Sequence, residues 1–223
     1  MDLVTFHPTM REMVERVRPL LPPHPRVIEF GNQRFTAGTD FPSTKAFYES
    51  LGCSYLALDV NENMGARVVD LNYTGHDIEP ADLVTNNGTS EHIFNQAACF
   101  ENAHNMSKWY MLHILPFTPW LNHGFFNYNP ILFRDLAAAN DYEIVLTAVA
   151  NRSRQYIKLG EEGFIEKRPV QLGEYVERLL PGGEVFVVSI LKKVKDQPFK
   201  FPFQGKYKKD IEDRALAAKY AAT

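Results

Sequence analysis

Short apolar runs rich in β-branched residues alternate along this chain with segments of helical periodicity, and most of the runs end on a polar residue or a glycine. Seven such runs predict strands: Arg26–Phe30 (RVIEF), Ser54–Val60 (SYLALDV), Arg67–Leu71 (RVVDL), Ala81–Thr85 (ADLVT), Trp109–Leu115 (WYMLHIL), Tyr142–Val149 (YEIVLTAV) and Glu184–Leu191 (EVFVVSIL). A helix is expected from Thr9 to Leu21, with Met10, Met13, Val14, Val17, Leu20 and Leu21 on one face, stopped by Pro22-Pro23. Further helices are expected at Ser43–Leu51, capped by Ser43 and closed by Gly52, at Ile93–Met106, from Asn129 or Pro130 to Ala139, and at Leu172–Leu180. Strands alternating with helices imply right-handed crossovers and a mostly parallel α/β sheet covered on both faces. In such sheets the ligand crevice opens at the carboxyl ends of the strands, so the residues that follow each strand are the candidates for function.

After the first strand the chain reads Glu29-Phe30-Gly31-Asn32-Gln33. A dinucleotide-binding loop needs three glycines to wrap a pyrophosphate, and Gln33 and Phe35 stand where the second and third would fall, which argues against NAD or FAD. A ligand without phosphates needs only one close backbone approach, and Glu29 suits a ligand ammonium. The second strand ends at Asp59-Val60, and a carboxylate there can accept from both hydroxyls of a ribose. The third ends at Asp70-Leu71-Asn72, where a polar side chain can meet an adenine amino group while the leucine packs on the ring. The fourth ends at Asn86-Asn87-Gly88, followed by Thr89-Ser90-Glu91-His92. Each acid taken alone reads equally well as a turn or cap residue; their recurrence at successive strand ends is the stronger signal.

VIEFGNQ, LALDVN, VVDLN and DLVTNNGTSEHIFN, in this order, resemble the sequence blocks of class I S-adenosylmethionine-dependent methyltransferases of the small-molecule type. The likeness covers about residues 26 to 148. It implies a Rossmann-like, seven-stranded, mostly parallel sheet whose last strand is antiparallel, with S-adenosylmethionine as cofactor. It further implies that Glu29, Gly31 and Asn32 meet the methionine moiety, that Asp59 and Val60 meet the ribose, and that Asp70, Leu71 and Asn72 lie near the adenine. Asn86, Asn87 and Gly88 would pass beneath the sulfonium. The first loop departs from the family pattern in lacking the second and third glycines.

The segment from Leu115 to Pro130 crowds aromatic and amide side chains into one loop, a composition suited to an apolar wall with a few orienting polar groups. Trp120, Asn122, Phe126, Asn127 and Asn129 are therefore the expected acceptor contacts. His123 and His92 are the expected proton acceptors, because imidazole titrates near neutral pH. Either histidine also reads as a turn or cap residue, and His113, in mid-strand, reads as a core histidine. No set of His, Cys and carboxylate residues shows metal-ligand spacing, so no metal is expected. The reaction these residues suggest is O- or N-methylation of a small polar metabolite or sugar-linked acceptor. Other chemistry on the same cofactor, or a non-catalytic scaffold of this fold, would read similarly.

Composition narrows the partners. With 223 residues the chain is expected to form one domain over 1–223, comprising the helix at 9–21, a core over 26–194 and a helical tail over 207–220. Its 24 basic and 27 acidic residues leave a net charge of −3, without the basic surplus of a nucleic-acid binder. Two cysteines are too few for a disulfide framework, and no stretch approaches the ~20 apolar residues of a membrane span. Without a secretory signal at its start, the chain reads as cytoplasmic, with a small-molecule partner, no nucleic acid and no membrane; its oligomeric state is not encoded in any pattern. Arg152, Arg154, Lys158, Lys167 and Arg168 fall in a polar stretch between the sixth and seventh strands that reads as a solvated insertion or as a face toward an acidic substrate.

Overall fold

The computed structural model describes residues 5–6, 8–35, 41–153, 155–160 and 169–221; Arg154, Lys167 and Arg168 lie outside the described residues. The main elements are α1 (Pro8–Val17), β1 (Arg26–Phe30), α2 (Thr44–Ser50), β2 (Ser54–Asp59), β3 (Arg67–Val68), β4 (Ala81–Asn87) and α3 (Gln96–Met106). They continue with β5 (Ser107–Thr118), α4 (Ile131–Asn140), β6 (Glu143–Asn151), β7 (Tyr156–Lys158), α5 (Pro169–Leu179), β8 (Val185–Lys192) and α6 (Arg214–Ala221). A short parallel ribbon, Thr5–Phe6 against Arg34–Phe35, stands apart from the main sheet.

Eight strands form the main sheet in the order β3-β2-β1-β4-β5-β8-β6-β7. The pairings among β1 to β5 are parallel, β8 is antiparallel to both β5 and β6, and β7 is antiparallel to β6. The antiparallel strand implied by the resemblance is therefore β8. The sheet has one strand more than the expected seven. The extra strand, β7, arises because the Asn151 side-chain oxygen accepts from the backbone N–H groups of Ser153 and Gln155, turning the chain back along β6. The expected strand at Arg67–Leu71 shortens to two residues because Asp70 accepts from the Asn72 backbone N–H at 2.9 Å, forming a turn that draws the chain out of the sheet. The helix expected from Ile93 starts at Gln96, where the Asn95 side chain caps it by accepting from Ala98 N.

Neighbouring residues on each central strand point to opposite faces. Ile28, Val84 and Met111 join one apolar layer with Phe100 and Phe133, while Val27, Leu83 and Leu112 join the other with Met10, Met13 and Phe47. Both faces are thus covered by helices, which explains why the strands read as nearly unbroken apolar runs. Cys53 and Cys99 are buried free thiols within these layers. The expected tail divides into a 3-10 segment, Gly205–Asp210, and α6. Among the described residues, no helix is long and apolar enough to cross a membrane. The chain order reverses between β1 and β4, so the crevice predicted for such sheets lies at their carboxyl ends.

Candidate functional site

The first loop leaves β1 at Gly31, whose φ of 77° lies in the left-handed region. Its N–H bonds to Leu58 O at 2.8 Å, and a Cβ at this position would lie 2.4 Å from Thr89 Oγ1. The Thr89 hydroxyl in turn donates to Phe30 O at 2.6 Å, so the glycine lets the loops after β1 and β4 lie against one another. Asp59, at the end of β2, faces the same loop: its Oδ2 accepts from Asn32 N at 2.8 Å. The other oxygen accepts from Val60 N at 2.7 Å and from the Asn61 amide at 2.8 Å. Asn32 is half-buried and its amide donates to Asn63 O, whereas the Val60 side chain is exposed.

Gln33, in place of a loop glycine, is buried and donates its amide to Asn87 O, strapping the loop to the end of β4. Glu29 is wholly enclosed behind the loop. Tyr55 and Thr44 donate hydroxyls to its Oε2 at 2.5 and 3.0 Å, and burial pushes its pKa up to about 7 despite these bonds. At the end of β3, Asp70 is exposed, and the backbone and side-chain N–H groups of Asn72 hold its carboxyl below the usual range. Leu71 is buried, and half-buried Asn72 is tied to Asn95, from which its Oδ1 accepts a backbone bond at 3.0 Å.

At the carboxyl end of β4, Asn86 Oδ1 accepts from Ser90 N at 3.1 Å, and its amide nitrogen lies 3.3 Å from His113 Nδ1. Gly88, with φ of 67°, donates its N–H to Ile114 O at 3.0 Å. Asn87 is fully buried, and neither atom of its side-chain amide has a hydrogen-bond partner. Such orphaned groups are rare in native interiors.

The loop after β5 divides its expected contacts into two groups. Trp120 is buried, donates its indole N–H to Val185 O at 3.0 Å, and packs at a tilt against Phe186, so it is a strut against β8. Asn129 Oδ1 accepts from Ile131 N at 3.2 Å at the start of α4, and Asn122 sits exposed in a left-handed turn with φ of 55°. Phe126 is half-buried beside Phe94 and Phe125, and Asn127 is exposed.

His123 is half-buried with its ring centroid 4.7 Å from that of Trp120, and the His92 ring lies 5.1 Å away. Beside them lies Glu91, in the run after β4, to which the sequence assigns no role. Its Oε1 is 3.4 Å from His123 Nε2. Although spacing along the chain assigns no metal, one donor atom each from Glu91, His92 and His123 lie within 4.8 Å of one another. The two loops dock because Phe125 N donates to Glu91 O at 2.8 Å and because Gly124 has no side chain. A Cβ there would lie 2.9 Å from that carbonyl oxygen. The glycine after His123 was the available signal, and it reads along the chain only as a turn.

No family model and no curated protein matches the sequence. Solved structures do match. A methyltransferase from Bacillus halodurans, described there as putative, aligns with a TM-score of 0.51 and 14% identity, over 83% of this chain and 99% of that one. StiE O-MT residues 961–1257 align with a TM-score of 0.51 and 11% identity, over 84% of this chain and 75% of that one. The strand order, the antiparallel β8 and these likenesses agree: the chain has the class I S-adenosylmethionine-dependent methyltransferase fold.

Proposed function

We propose that the crevice at the carboxyl ends of β1, β2 and β4 binds S-adenosylmethionine, and that the chain transfers its methyl group to a small polar acceptor held by the loop after β5. The observation that carries this reading is the convergence of Asp59 and Gly31 on one loop, with Asp59 Oδ2 accepting from Asn32 N at 2.8 Å. A carboxylate has about four acceptor sites, and three are engaged here. One therefore remains for a ribose hydroxyl, and the part-buried bond from the Asn61 amide is one that a second hydroxyl can displace. The unpartnered Asn87 amide adds donor and acceptor capacity under the same crevice. When bound, S-adenosylmethionine supplies an electrophilic methyl carbon. The protein's task is then to align an acceptor atom about 3 Å from it and to keep water out. Phe126 and its aromatic neighbours supply the dry wall, and in the metal-free chain His123 Nε2 is placed to take the acceptor's proton. A small polar acceptor suits this mixed loop of rings and exposed amides.

One alternative has an observation behind it. The bond from Gln33 to Asn87 O ties the loop after β1 to the end of β4, as expected of a scaffold that no longer binds cofactor. Calorimetric titration with S-adenosylhomocysteine separates the two readings. Micromolar binding that Asp59→Ala weakens by about thirtyfold, or ~2 kcal/mol for lost charge-assisted hydrogen bonds, is the expected result. No heat at millimolar ligand would establish the scaffold.

A further inference from the structure

Glu91, in the turn after β4, carries a carboxyl group whose side chain is only 1% exposed, yet neither of its oxygens accepts a hydrogen bond. A buried carboxyl group whose oxygens accept no hydrogen bond is unfavourable, and a cation within reach of those oxygens would offset that cost. The nearest basic atom, His123 Nε2, stands at 3.4 Å, too far for a good hydrogen bond. It stands, however, at the separation expected of two ligands of one ion: donors about 2.1 Å from a tetrahedral cation lie about 3.4 Å apart. His92 supplies a third donor, all three falling within 4.8 Å of one another.

We propose that Glu91, His92 and His123 form a binding site for a divalent transition-metal cation. Two imidazoles and one carboxylate favour zinc, manganese, iron or cobalt over magnesium or calcium, which prefer oxygen donors. Three protein ligands leave at least one coordination position open, the arrangement of a catalytic rather than a structural site.

The ligands are held before the ion arrives. The turn Ser90–His92 is fixed by Asn86 accepting from Ser90 N and by the Gln96 amide donating to Ser90 O at 2.7 Å. The loop carrying His123 is fixed by Phe125 N on Glu91 O and by the tilted contact of the His123 ring with Trp120. Exposed His92 leaves a path from solvent. The ion would thus bridge the loops after β4 and β5 at the edge of the crevice. Its use rests on the methyl-transfer reading: an open position would hold an acceptor oxygen as its anion, the hydroxyl proton passing to solvent water on the exposed His92 side, with His123 acting as a ligand instead of a base. Binding itself does not depend on that reading.

The test is titration of untagged, chelator-stripped full-length chain with Co²⁺, followed by visible absorption, and with Zn²⁺, followed by calorimetry. One equivalent is expected to bind and to produce d–d bands. His123→Ala and Glu91→Gln should each weaken binding more than about tenfold, at least the loss seen when an outer-shell partner of a metal ligand is removed. The exposed His92→Asn should do likewise, and it serves if the other variants fail to fold. Absence of saturable binding below millimolar metal would overturn the inference, as would affinity unchanged in His92→Asn and His123→Ala. S-adenosylhomocysteine titrated into the same stripped chain keeps the two failures apart: if it binds while Co²⁺ does not, only the metal site falls.

Discussion

Replacing His113 with phenylalanine should remove about 3 kcal/mol of acid-induced destabilisation between pH 7 and pH 4. His113 is fully buried on β5, against the rings of Phe100 and Phe133, and burial pushes its pKa from 6.5 down to about 3. The folded chain therefore keeps the imidazole neutral at a pH where the unfolded chain binds a proton. A depressed histidine pKa contributes nothing above about 6.5 and costs stability progressively as pH falls toward 3. At pH 4 the cost is about 2.5 pH units of proton affinity, or ~3 kcal/mol. The wild-type curve alone is a poor readout, because Glu29 works in the opposite sense. Its folded pKa is raised from 4.5 to about 7, so its contribution is full below 4.5 and is lost as pH rises through 7. The decisive quantity is the difference between wild type and His113→Phe in urea unfolding at the two pH values. Loss of the Asn86 contact and changed packing add an offset common to both. Parallel curves for the two proteins would show that His113 is protonated in the folded state.

Gly31→Ala should destabilise the chain by about 3 kcal/mol. An L-residue in the left-handed region costs roughly 1–2 kcal/mol, and the new Cβ at 2.4 Å from Thr89 Oγ1 forces that hydroxyl off Phe30 O, losing about 1 kcal/mol more. Removing the hydroxyl relieves the clash, so Thr89→Ala and Gly31→Ala should combine to less than their sum by about 1 kcal/mol. Denaturant melts of the two single variants and the double variant measure this coupling. Strict additivity would mean that the loops after β1 and β4 do not meet in the folded chain.

These two positions also show what the sequence makes legible. Arg26–Phe30 and the strand near its far end, expected at Glu184–Leu191 and found at Val185–Lys192, are readable because strands buried on both faces become apolar throughout. Gly31 and Asp59 are readable because turn chemistry and strand ends are local features. Tyr156–Lys158 is a three-residue edge strand, too short for periodicity and positioned by a side-chain turn at Asn151. Trp120 and Asn129 are aromatic and amide residues in a suggestive loop, yet one packs on β8 and the other holds the start of α4, and composition does not say which partner a side chain will take. Glu91 gains its significance only when Gly124 lets a distant loop settle on its backbone, a contact that leaves no periodic trace.

The position of β8 bears on how the molecule is made. It is the last strand among the described residues and lies between β5 and β6, which otherwise do not pair. While a ribosome is still extending the chain toward Val185, the open hydrogen-bonding margins of both neighbours are templates for any passing extended segment. Synthesis halted short of Lys192 would therefore yield a divided sheet prone to aggregate, and the β4 and β5 loops would be borne by an incomplete support.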